Sequence, residues 1–169
     1  MNAISREFID QSIFRIEKNT PKIIQCLDQL TDEQVWMRPN EASNSIGNII
    51  LHLCGNIRQY AISALGERPD TRERDKEFST RGGYAKDELL EKLTGILSEA
   101  ILILKNADEA RLMKLYSAQG FTYSGAGIVV HVTEHYSYHA GQIIFWTKLL
   151  TGKDLGFYAN VDLNQRNKN

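Results

Sequence analysis

Cysteine and proline are scarce in this chain: Cys26 and Cys54 are its only thiols, and Pro21, Pro39 and Pro69 its only prolines, in 169 residues. The two thiols form neither a CxxC pair nor a disulfide scaffold, and read as small buried hydrophobes suited to a reducing compartment. An excess of charge is missing too, since 20 Lys and Arg stand against 21 Asp and Glu. That balance removes the field that would gather nucleic acid or an anionic membrane. No apolar run approaches the ~18 residues of a membrane span, and Met1 to Asp10 carries charges where a secretion signal would be apolar. The expectation is a soluble, cytoplasmic protein. Sustained apolar/polar alternation is also lacking, so the chain reads as all-α. A chain of this size buries roughly 70% of its unfolded surface, so any metal would serve function rather than prop up the fold.

What is present is helical periodicity. A first helix is expected from about Ser5 to Leu30, with Ile9, Ile13, Ile16, Ile23 and Leu27 on its stripe and Pro21 kinking or splitting it. Thr31 and Gln34 have the spacing of a capping box and open a short turn that Pro39 stops. A second long helix starts after Asn44 or Ser45 and ends near Leu65, before Gly66, on the repeat of Ile46, Ile50, Leu53, Ile57, Tyr60 and Ala64. From Gly66 to Gly83 the chain turns polar, with Glu67, Arg68, Asp70, Arg72, Glu73, Arg74, Asp75, Lys76 and Glu77 reading as a solvated surface run. Such a length between helices predicts a crossover along or across the bundle. A third helix covers about Tyr84 to Asn106, a connector follows through Gly120, and a fourth runs from near Ser124 to about Leu150, with Gly152 as its left-handed stop. The whole predicts a four-helix bundle in a single domain over 1–161, with a polar tail over 162–169.

Histidine carries the chemistry. On the fourth helix His131, His135 and His139 lie within an arc of about 80° that also holds Ile128 and Trp146, with Ile143 about 40° beyond it, so the rings face the core. One core histidine is ordinarily structural. Several in register leave polar nitrogens to satisfy, at ~1–3 kcal/mol for each left unpaired, and a divalent cation takes up their lone pairs. Two histidines four apart on a helix can share a metal with a third ligand from a neighbour. His52 is the remaining histidine, on the flank of the second helix about 120° from the centre of its apolar stripe. Asn56, one turn on, is placed to orient that ring or to bind substrate, whereas Cys54 points about 160° away and is a poor co-ligand. Three nitrogen ligands leave a position open, as catalytic sites do.

The stretch Asn48 to Asn56, NIILHLCGN, and His131 to Gln142, HVTEHYSYHAGQ, together with the helix pattern, resemble the DinB-like superfamily of bacterial four-helix bundles. That family's signature, one His on the second helix and HxxxH then GQ on the fourth, falls on His52, His135, His139, Gly141 and Gln142. The resemblance covers nearly the whole chain. It implies a divalent-metal site at His52, His135 and His139, with nickel or zinc common, and often a homodimer. Some relatives are thiol transferases using bacillithiol or similar small thiols, and a related group holds a mycothiol-dependent isomerase. Gln142 then falls near the bound group, or pairs with a backbone or neighbouring ring, while Gly141 eases helix packing. His131, beyond the signature, is a hydrogen-bond partner of a ligand or a substitute ligand.

His131 to His135 also reads HxxEH, the order of inverted zinc peptidases with Glu134 as base. Only 34 residues follow His135, too few for the further ligand and substrate-holding architecture of those enzymes. No strand is expected before Gly125 and Gly127 and their GxGxxG pattern is incomplete, and Arg81-Gly82-Gly83 lacks the Lys and Ser or Thr of a phosphate loop. The expectation is a metal-dependent thiol S-transferase acting on small electrophiles, with a non-catalytic dimeric metal-binding bundle or a metal-dependent hydrolase as alternatives.

Overall fold

A computed structural model describes residues 1–167. Four long helices form the bundle: α1 (Ala3–Asp28), α3 (Ile46–Ile57), α5 (Lys86–Lys105) and α7 (Gly125–Thr151). Short helices α2 (Asp32–Trp36), α4 (Arg74–Ser79) and α6 (Glu109–Met113) lie in the connections, with strands β1 (Leu115–Ala118) and β2 (Phe121–Ser124). Around the bundle α1 packs on α7 and α5, and α3 on α5 and α7. Their apolar stripes meet in one core that includes Ile9, Ile50, Leu53, Leu89 and Ile128.

Cap chemistry sets most of the boundaries. Thr31 and Gln34 make the reciprocal capping box at α2, and Ser45 and Asn48 make another at α3. Ser124 caps α7 through the Gly127 amide, and Gly152, at φ 66°, closes it in the left-handed region. Pro21 does not split α1, which runs through it unbroken. Both Pro21 and Glu17, whose carbonyl loses its partner there, are exposed to water, and buried residues on either side hold the helix to the core.

Beyond Ile57, α3 widens into a π-helical stretch, Arg58–Leu65. Gly66 follows at an ordinary φ of −80°, and the positive φ falls on Glu67 instead. A Cβ on Gly66 would come within 2.7 Å of Ile103 Cδ1, so this glycine lets the end of α3 meet the end of α5. At the opposite end, Trp36 lies against Gly47 while its Nε1 donates to Tyr84 O, and Asp32 accepts from the Lys86 amide. The two helices therefore start together and finish together. Parallel neighbours cannot be joined by a tight turn, so residues 66–85 must return the length of the bundle as a crossover.

Two expectations fail here. The crossover is not simply a solvated charge run: it contains α4, packed on α3, and turns Arg72 and Glu77 inward. The connector before α7 holds an antiparallel hairpin, Leu115 opposite Ser124 through Ala118 opposite Phe121. Gln119 and Gly120, at φ 54° and 80°, supply the two left-handed positions that a two-residue hairpin turn requires. Of the polar tail expected over 162–169, residues 162–167 are exposed and outside helix or strand, and 168–169 lie outside the described residues.

Candidate metal centre

The continuous winding of α7 sets its three histidines one turn apart on the side facing α3. Ring centroids stand 5.4 Å apart between His131 and His135 and 4.4 Å between His135 and His139. Across the groove, α3 presents His52, whose Nε2 lies 3.1 Å from His135 Nε2. Its ring meets that of His139 edge-on at 5.0 Å. Ring nitrogens of His52, His135 and His139 all fall within 4.8 Å of one another.

The crossover supplies what fixes His52. Its Nδ1 lies 2.9 Å from Glu77 Oε2, and Arg72 clamps the same carboxylate with Nε at 2.7 Å and Nη2 at 2.9 Å. Glu77 and Arg72 side chains are only 7% and 2% exposed, so this is a buried, fork-shaped ion pair. An ionised carboxylate only accepts, so His52 Nδ1 carries the proton and donates it to Glu77, leaving the Nε2 lone pair free toward α7. Arg72 Nη1 is spent on Gln59 Oε1. Burial alone would raise the Glu77 carboxyl, but the bonds from Arg72 and then His52 outweigh it and hold the group below the ordinary carboxylate range.

Two features of α3 admit the crossover at this point. A Cβ on Gly55 would sit 1.8 Å from Glu77 Oε1, so only glycine leaves room for the carboxylate beside His52. Asn48, fully buried, donates both amide hydrogens to the carbonyls of Glu77 and Thr80 at 2.8 Å, and Arg38 Nη2 donates to Phe78 O. Glu77 and Arg72 were missed in the sequence because a run of charges signals water. The clue available was Gly55, three residues after His52 on the same side of the helix.

On α7 the supports are local. His139 Nδ1 donates to Gln142 Oε1 at 2.7 Å, which again directs Nε2 inward. Gln142 thus orients a ring, the second of the roles its position offered. Asn56 does not orient His52: its Nδ2 donates to His131 Nε2 at 3.1 Å, and its buried Oδ1 has no hydrogen-bond partner. His131 in turn stacks on Tyr60 at 4.0 Å and leans on Tyr123. It is joined to the cluster through its stacking on His135, while its own Nε2 is taken by Asn56. Glu134 is exposed and lines the groove toward Phe8 and Arg15 of α1, away from the imidazole cluster, so HxxEH does not act as a unit here. Cys54 faces the far side of α3, where burial pushes its thiol up to about 12.

Electrostatics keep the α7 rings neutral. Burial, followed by His139 and His52, lowers His135 to about 3. Burial also lowers His131 and His139, although Gln142 partly offsets this at His139. Neutral imidazoles are the form that ligates metal. The donor set fits: two nitrogens each about 2.0–2.1 Å from one tetrahedral ion lie roughly 3.3 Å apart, close to the 3.1 Å between His52 and His135. Without an ion, those facing nitrogens need His135 to hold its proton on Nε2.

The bundle and the imidazole cluster define a DinB-like protein. Residues 3–159 match the family described as Protein of unknown function (DUF1572), a DinB-like family, and the chain belongs to it. The fold is similar to that of a DinB-like protein of Bacillus subtilis, YjoA, at a TM-score of 0.64 and 15% identity over 85% of this chain and 93% of that one. A DinB-like protein of Bacillus cereus gives 0.66 and 15% over 85% and 90%. A conserved protein of Enterococcus faecalis gives 0.64 and 18% over 90% and 99%. No curated protein matches the chain.

Proposed function

We propose that His52, His135 and His139 hold one divalent cation through their Nε2 atoms, and that the positions left open serve transfer of a small thiol to an electrophile. The observation that carries the reading is convergence with orientation. One nitrogen from each ring lies within 4.8 Å of the other two, and two of the rings have Nδ1 tied to Glu77 and Gln142. When bound, such a cation lowers the pKa of a thiol and holds the thiolate for attack. Glu77 and Gln142 keep two rings aimed, Arg72 keeps Glu77 ionised, and burial keeps His135 unprotonated at neutral pH. Nickel and zinc both suit three imidazoles. The setting proposed is the cytoplasm, where small thiols stay reduced and the two free cysteines persist. No described helix is long and apolar enough to cross a membrane.

Elemental analysis of untagged protein should find one ion per chain. Turnover of an electrophilic chromogenic probe by loaded protein should then rise when a bacterial thiol is added, and turnover indifferent to thiol would reject the transfer scheme in favour of hydrolysis. A non-catalytic role is supported by one feature: the cation would join α3 to α7 at His52, whose ring meets those of His135 and His139 across the groove. Under that reading chelation lowers the melting temperature strongly, and His139→Ala costs stability without costing turnover. Self-association into a homodimer is supported by an exposed stripe on α7, Val130, Tyr138, Phe145 and Leu149, within an arc of about 100°. Light scattering on the loaded protein tests it.

A further inference from the structure

On the opposite side of α3 from the imidazoles, a cleft of about 430 Å³ opens between α3, the crossover and α5. Its apolar floor is Leu51, Cys54 and Ile96, with Tyr84 at one end. Four cations reach it, Arg58, Arg72, Lys76 and Lys92, against two carboxylates, Glu73 and Glu77. Most of that charge is already committed. Arg72 is bound to Glu77 at 2.7 Å, Lys76 to Glu73 at 2.7 Å, and Arg58 shares Glu99 at 3.4 Å. Lys92 has no carboxylate within ion-pair distance among the described residues, and its ammonium rests 4.9 Å from the Tyr84 ring centroid.

We infer that this cleft is a second binding site, separate from the imidazole cluster, for a small monocarboxylate with an apolar body. One uncommitted cation sets the charge of the ligand at minus one. The floor sets its body: Leu51 and Ile96 offer apolar surface, and the Tyr84 face comes free when Lys92 turns to the carboxylate. A doubly charged phosphate finds one free cation and two carboxylates nearby, and gains nothing from the floor. Volume is sufficient, since small-molecule pockets begin at roughly 300 Å³. The Glu77–Arg72 pair is the wall between the two sites, so a ligand here cannot reach His52 Nε2. The cleft therefore fills whether or not a metal is present.

The test uses the full chain treated with chelator, so its outcome is independent of the metal reading. Hexanoate titrated into isotope-labelled protein should shift the backbone amides of Leu51, Cys54, Thr71 and Ile96. Hexanol, the same body without charge, and inorganic phosphate, charge without the body, should each leave them in place at equal concentration. Lys92 is exposed, so Lys92→Gln spares the fold and should weaken hexanoate by about tenfold, the worth of one charge-assisted hydrogen bond. The inference is overturned by hexanoate shifts confined to residues around His52, His135 and His139, by unchanged affinity in Lys92→Gln, or by phosphate binding as well as hexanoate does.

Discussion

His52 and His139 each donate an Nδ1 proton to an oxygen, yet the two acceptors come from different distances. Gln142 stands three residues along the same helix, while Glu77 arrives from a segment 25 residues away and brings Arg72 with it. The α7 half of the site is thus a local device: one helix, correctly wound, sets ring spacing and orientation together. The α3 half is a tertiary device, and works only when the crossover is seated by Asn48 and Arg38 and when Gly55 leaves space for it. A local support can fail without consequence for the fold. A tertiary one couples ligand orientation to the packing of a whole segment.

That contrast can be broken most directly at His52 itself. His52→Ala should abolish stoichiometric binding of zinc or nickel by calorimetry, while the α7 pair alone retains only weak binding; a variant that still binds one ion tightly would mean that α7 suffices. Glu77→Ala comes next and should do two things at once. It strands the Arg72 guanidinium in a buried place, at ~3–5 kcal/mol of unfolding free energy in urea, and it weakens metal by about 10–100-fold. Gln142→Ala should show the smallest effect among the substitutions, about tenfold in metal affinity at the lower end of that range, with the urea midpoint unmoved because Gln142 reaches solvent. If it destabilises the chain as Glu77→Ala does, the two halves are not different in kind.

Acid sharpens the same comparison more gradually. In chelator-treated protein the unfolded chain takes a proton on His135 near the ordinary 6.5, the folded chain only near about 3. Between those values the unfolded state binds more protons, so stability should fall as pH drops below 6.5. Glu77, held below its ordinary range, adds a loss in the same direction at lower pH. Urea unfolding at stepped pH checks this, and in Glu77→Ala only the part from the buried histidines of α7, His135 with His131 and His139, should remain.

The α7 half is legible in the sequence because it is local. Spacing of four puts His131, His135 and His139 in line whatever the helix packs against, and Ser124 and Gly152 mark its ends by cap chemistry alone. His52 is legible as a residue, through its place on an amphipathic helix, but its supports are not. Arg72 and Glu77 are buried by each other, and nothing in a run of nine charged residues says which two will pair inward. The parallel course of α3 and α5 decides that, and it is a property of the assembled bundle. Asn56 shows the same limit: four residues beyond His52 it is well placed to touch that ring, yet the π-helical neighbour and Tyr60 bring His131 to it instead. The hairpin escapes notice because strands of four residues show too little alternation to separate from a loop.

His52 and His135 are 83 residues apart along the chain. At a ribosome adding about 5–20 residues per second, roughly 4–17 seconds pass between the emergence of one imidazole and the other. Glu77 joins His52 only 25 residues into that interval, and the other rings of the proposed site come at its end, so a nascent chain would not be templated early by a cation held there. Uptake of a cation at the proposed site would therefore follow the synthesis of α7, and an ion retained through purification would report that α7 has docked.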